Sequence, residues 1–115
     1  MTRRRLYGSG SGVGSESNTT TDVTLPTGAN TANTFSNASI YFPNYASSNF
    51  KSISVDSVDE NNGTAAYQWI DAGLWSVTSA ITSVTLTSQT STLAEFSSAS
   101  LYGITAGSDG IVAVS

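Results

Sequence analysis

The clearest pattern in the chain is the alternation within residues 51–58. Ile53 and Val55 point one way there, and Ser52, Ser54 and Asp56 the other. A period of two predicts a half-buried β-strand. Shorter stretches repeat it. Residues 21–25 set Val23 and Leu25 against Asp22 and Thr24, and Pro26-Thr27-Gly28 ends that strand. Residues 38–42 place Ile40 and Phe42 on one face, with Pro43-Asn44 as the stop. Residues 80–86 carry Thr82, Val84 and Leu86 on a common face. Residues 99–104 divide Leu101 and Gly103 from Tyr102 and Ile104. Arg5-Leu6-Tyr7 reads as a short strand. Residues 111–114 read as a closing strand after a turn at Gly107-Ser108-Asp109-Gly110.

Residues 65–77 fit two periods. Tyr67, Ile70 and Leu74 follow a helix, whereas Tyr67, Trp69 and Trp75 follow a strand. The aromatic and β-branched neighbours, with Gly73 inside, favour the strand. No stretch of ten or more residues is built throughout from good helix formers. Residues 8–20 are rich in Gly and Ser, so they have little to bury and much entropy to lose. They predict a flexible loop. Residues 30–34 read as a second polar loop. Short strands separated by Ser, Thr, Asn and Gly predict an all-β fold, a sandwich or barrel. A length of 115 residues predicts a single domain, 1–115.

Composition narrows the core. Leu, Ile, Val and Phe contribute only 24 residues, while Ser, Thr and Asn contribute 45. With few aliphatics, large rings must supply buried area. Trp69, Trp75 and Phe42 are therefore assigned to the core, with Ile40, Ile53, Val84 and Leu101.

Charge and missing residue types remove several functions. The net charge is −4, and the only basic residues are Lys51 and the run Arg3-Arg4-Arg5. That balance argues against a nucleic-acid surface. The arginines read as a solvated terminus or strand edge more readily than as a contact for an anionic partner. No apolar run is long enough for a membrane span. No apolar stretch follows the arginines either, so a signal peptide is not expected. Cysteine and histidine are absent. This removes thiolate chemistry, Cys-His and Ser-His-Asp arrangements and zinc sites of the usual kind. It leaves the redox compartment open. No cofactor is expected.

Two clusters could bind a ligand. Asp56, Asp59 and Glu60 bunch together, followed by Asn61 and Asn62. Closely spaced oxygen ligands can hold Ca²⁺, but the spacing lacks the D-x-D-x-D-G pattern. Asn62-Gly63 fits tight-turn chemistry, so a solvated turn weighs more heavily. Tyr41, Tyr45, Phe50, Tyr67, Trp69, Trp75 and Tyr102 could form a stacking platform for sugar C–H faces. Tyr45, in the loop 43–49, is the best exposed candidate. Asn44, Asn49 and the acids at 56–60 would then line a shallow site. A hydrolase would need a pair of carboxylates in a cleft. Eight acids make some pair inevitable, so that reading carries no weight. Asn18, Asn37 and Asn62 begin N-x-S/T triplets, which such a composition produces by chance.

Residues 35–104 resemble a group of short structural proteins of tailed bacteriophages, notably marine ones. The resemblance rests on Ile40-Tyr41-Phe42-Pro43-Asn44-Tyr45, Ser47-Ser48-Asn49-Phe50-Lys51-Ser52 and Ala72-Gly73-Leu74-Trp75. It continues through Ala80-Ile81-Thr82-Ser83-Val84-Thr85-Leu86 and Ser100-Leu101-Tyr102-Gly103-Ile104, and more loosely includes Arg5-Leu6-Tyr7-Gly8. It implies an antiparallel jelly-roll-like β-sandwich in a virion component: a capsid decoration, head fibre or tail-associated protein, without catalytic residues. Members of the group carry further strands before the Arg-Leu-Tyr-Gly segment. Either the start of this chain is misplaced, or the sandwich is incomplete at its N-terminus. A partial sandwich leaves open edges and an uncovered apolar face. The expected partners are therefore other virion proteins, capsid or tail, and further copies of the chain as a homo-oligomer. Loops 8–20, 26–34 and 43–49 would carry contacts. The alternative is a fibre module that recognises a host glycan.

Overall fold

The computed structural model describes residues 1–25, 33–60, 62, 66–88, 93, 95–106 and 112–114. The structure distinguishes two compact units, Met1–Ser83 and Val84–Ser115.

The first unit is an antiparallel five-stranded sheet. Its strands are β1 (Thr2–Gly8), β2 (Val13–Thr19), β3 (Ser36–Tyr41), β4 (Lys51–Asp59) and β5 (Tyr67–Trp75). They lie in the order β2-β1-β5-β4-β3. The fold of the described residues is all-β. The alternation read at 51–58 appears residue by residue in β4, where odd positions are buried and even positions exposed. Its neighbours inherit that register: Val55 stands beside Asp71 of β5, which stands beside Arg5 of β1. The odd residues of these three strands thus form one covered face.

Within residues 65–77, Tyr67–Trp75 form strand β5, with Trp69, Asp71 and Gly73 on that face. The predicted strand at 38–42 is β3, and Arg5-Leu6-Tyr7 lies within the longer β1.

Three expectations are corrected. Residues 8–20 do not form a flexible loop. Only Ser9–Gly12 make the turn, closed by Ser9 N–H donating to Gly12 O at 2.9 Å, with Gly10 at φ 75°. Residues 13–19 pair along the whole of β1. Composition measures what side chains can bury, but an edge strand is held mainly by its main-chain ladder. Gly14 also serves packing, since a Cβ there would sit 2.5 Å from the Tyr7 ring.

Residues 21–25 form no strand. Instead Thr24 turns main-chain and side-chain oxygens toward Arg3 and Arg5. The third correction concerns the core. Its fully buried apolar residues, among those described, are only Ile53 and Val55. Burying each contributes about 1.5–3 kcal/mol. Ile40, Phe42 and Trp69 are half-buried, and Trp75 lies at the exposed margin.

In the second unit, β6 (Ile104–Ala106) pairs antiparallel with β7 (Val112–Val114), from Ile104 beside Val114 to Ala106 beside Val112. The predicted closing strand is thus present, while its turn at 107–110 lies outside the described residues. Residues 80–86 and 99–103 join no ladder, and Val84 and Leu101 are exposed rather than core. The contact loop at 26–34 falls largely outside the described residues too.

Candidate interaction surface

The two faces of the five-stranded sheet have opposite chemistry. On the covered face, Arg5 and Asp71 stand side by side on β1 and β5. Their side chains form a two-pronged ion pair, with Nε donating to Oδ1 at 2.7 Å and Nη2 to Oδ2 at 2.6 Å. Arg5 also donates to Thr24 O at 2.8 Å and lies 3.6 Å over the Trp69 ring. A planar guanidinium suits this set of contacts, because its fork matches a carboxylate and its face stacks on an indole. Both side chains of the pair are almost wholly buried. Arg3, one pleat away, donates to Thr24 Oγ1 and approaches Glu16 of β2 at 3.6 Å.

Lys51 opens β4 on the same face and is 1% exposed. Its Nζ donates toward four main-chain carbonyls: Ser47 at 2.8 Å, Val77 at 3.3 Å, Thr78 at 3.1 Å and Ser79 at 2.6 Å. An ammonium has three protons, so at least one is shared. Two loops are pinned by this one charge. Ile81 N–H donates to Tyr45 O at 2.9 Å and joins the same two loops again.

The even residues of β1, β4 and β5, with the odd residues of β2 and β3, form the other face, which is open. Leu6 of β1 and Ile70 of β5 are direct neighbours and are 62% and 51% exposed. Leu74 and Val58 extend the apolar strip along β5 and β4, and Tyr41 stands beyond it on β3. In its five strands this face carries one cation, Arg4, and one anion, Asp56.

The structure separates the acidic cluster read from the sequence. Asp56 and Asp59 lie on opposite faces of β4: Asp59 is buried and Asp56 exposed. Glu60 follows the strand, and its carboxylate accepts from the Asn62 N–H. Asn62 has φ 57°, as its turn chemistry required. Gln68 of β5 reaches Asp56 at 3.5 Å. Among the described residues, no three His, Cys, Asp or Glu side chains gather to hold a metal ion.

Asn44, Tyr45 and Asn49 do share one loop, and all three are exposed. Asn44 adopts φ 51°, and its carbonyl accepts from Ser47 N–H at 3.0 Å. The Asn49 N–H donates to Ser47 Oγ at 3.4 Å.

The sequence reading missed the charged interior. Arg3, Arg4 and Arg5 were placed at a solvated terminus or strand edge, but β1 is an inner strand and Arg3 and Arg5 are buried. A signal for this was present. Arg3, Arg5 and Tyr7 share one parity on β1, and Trp69, Asp71 and Gly73 share one on β5, so pairing the aromatics brings Arg5 to Asp71.

No protein-family model matches the chain, and no curated protein or solved structure matches it. Among the described residues, no helix is long and apolar enough to cross a membrane.

Proposed function

We propose that the chain is a non-enzymatic structural protein of a bacteriophage virion, a capsid decoration or fibre component. Its five-stranded sheet would be one layer of a jelly-roll-like sandwich completed by neighbouring chains. The open face of Leu6, Ile70 and Leu74 carries this reading. Contiguous exposed apolar area on a sheet marks a surface awaiting a partner. The sequence resemblance to phage structural proteins supplies the setting. The test is mass spectrometry and antibody labelling of gradient-purified particles from cells that express the chain. It should co-purify at a fixed ratio to the capsid protein, and Ile70→Lys should lower that ratio. A chain that stays in the lysate and never enters particles would sink the proposal.

A second reading, glycan or receptor binding at a fibre, draws on the loop 43–49. Tyr45 presents its ring to solvent from a backbone held by Lys51 and Ile81. A pre-ordered aromatic loses little entropy on stacking against a sugar. Binding on an array of host surface polysaccharides, abolished by Tyr45→Ala, would favour it. No binding to any polysaccharide would leave only the structural role.

A further inference from the structure

We infer that the open sheet face is a self-complementary interface for a second copy of this chain. This rests on the structural reading above for its biological setting, and the argument itself is geometric. On this face Arg4 and Asp56 flank β5 from opposite sides. Arg4 stands beside Ala72, and Asp56 beside Ile70. Neither has an ion-pair partner among the described residues. Two sheets packing face to face lie about 10 Å apart with strands about 30° from parallel. A two-fold axis in that interface, close to the direction of β5, exchanges the β1 side of one copy with the β4 side of the other.

Arg4 of each copy then lies over the β4 strand of its partner, one pleat step from Asp56. That offset is about 7 Å along the strand, within reach of an arginine side chain. The contact forms twice, as an isologous interface requires. Ile70 and Leu74 lie near the axis and meet their own counterparts, with Leu6 covering the flank. No like charges are opposed, because the strands of this face hold only one charge of each sign.

The size sets the expected strength. Five strands, paired over about seven residues each, present a flat footprint of about 550 Å² per copy. A pair would bury on the order of 1,100 Å², near the lower limit for a specific complex. The dimer should therefore assemble reversibly, in the micromolar range.

Sedimentation velocity over a concentration series tests this on the full chain. The expected result is a monomer–dimer equilibrium that Arg4→Asp and Asp56→Arg each weaken by roughly tenfold or more. The doubly exchanged R4D/D56R chain should return to within about threefold of the original, since the swap restores both contacts. Both positions are exposed, and circular dichroism of each variant confirms folding. A second measurement avoids charge changes altogether. The chain has no cysteine. A single thiol from Ala72→Cys, near the axis, should be linked to its counterpart by a short bis-maleimide, whereas one from Ser17→Cys on β2 should not.

A monomer at every concentration would overturn the interface. So would a dimer indifferent to Arg4, Asp56 and the Ala72 cross-link, which would place association at a sheet edge. Neither result bears on whether the chain enters particles. Incorporation into particles without self-association would instead mean that a different virion protein covers this face.

Discussion

The two faces of the sheet share the same five strands yet are stabilised by different means. Among the described residues, the covered face buries three cations and two carboxylates around only two fully buried aliphatic side chains. The open face keeps its best apolar residues in solvent. A strand's alternation is ordinarily read as apolar inside and polar outside. In β1 the pattern is inverted: Arg3 and Arg5 point in, while Leu6 points out. The inversion is tolerated because Arg5 meets the Asp71 carboxylate, Thr24 O and the Trp69 ring, and Arg3 meets Thr24 Oγ1 and Glu16. It shows that hydropathy alone cannot tell which face of such a sheet is its interior.

The largest expected effect breaks the covered face. Asp71→Ala leaves the Arg5 guanidinium buried without its carboxylate and should cost about 3–5 kcal/mol in urea unfolding. Replacing both partners, as Arg5→Met with Asp71→Leu, should cost less than the single change. A double variant no more stable than Asp71→Ala would show that the ion pair is not what the face depends on. Next comes Lys51→Met, which keeps the aliphatic stem but removes the charge from four carbonyls. A loss of about 1–3 kcal/mol is expected. Faster hydrogen exchange at the Ile81 amide should accompany it, because the two pinned loops separate.

Gly14→Val sharpens the comparison at the sheet margin. Its side chain must displace the Tyr7 ring, and about 1–3 kcal/mol should be lost. The smallest effect belongs to the open face. Ile70→Ser should change the thermal stability of the isolated monomer by no more than about 0.5 kcal/mol. A large loss there would mean that this face is already covered within the chain.

These contrasts explain what was legible in the sequence. β4 could be read from the alternation of its side chains, and β5 from its aromatic residues with Gly73 among them. β2 could not, since five of its seven residues are Gly, Ser, Asn or Thr and its order comes from the ladder with β1. Residues 80–86 misled in the opposite direction. Their side chains alternate, but alternation without a ladder does not make a strand. For the candidate site, the loop of Asn44, Tyr45 and Asn49 was legible because Pro43-Asn44 marks a turn after a strand. The acidic group was not, because Asp56 and Asp59 are three apart on a strand, and an odd separation sends them to opposite faces. The open apolar face was anticipated from the partial-sandwich argument, but its residues were not. Locating Leu6 beside Ile70 requires the register between β1 and β5, and those strands are separated by 58 residues of chain.

The placement of the four basic residues also governs how the chain meets a digestive protease. Trypsin cuts only after lysine or arginine and must draw the chain into its cleft as an unpaired extended segment. Here every such bond lies in β1 or at the start of β4, inside a hydrogen-bonded ladder. The surface turns and loops offer it nothing to cut. The assembled sheet is therefore masked from this class of enzyme, and each cleavage event records an opening of the sheet itself.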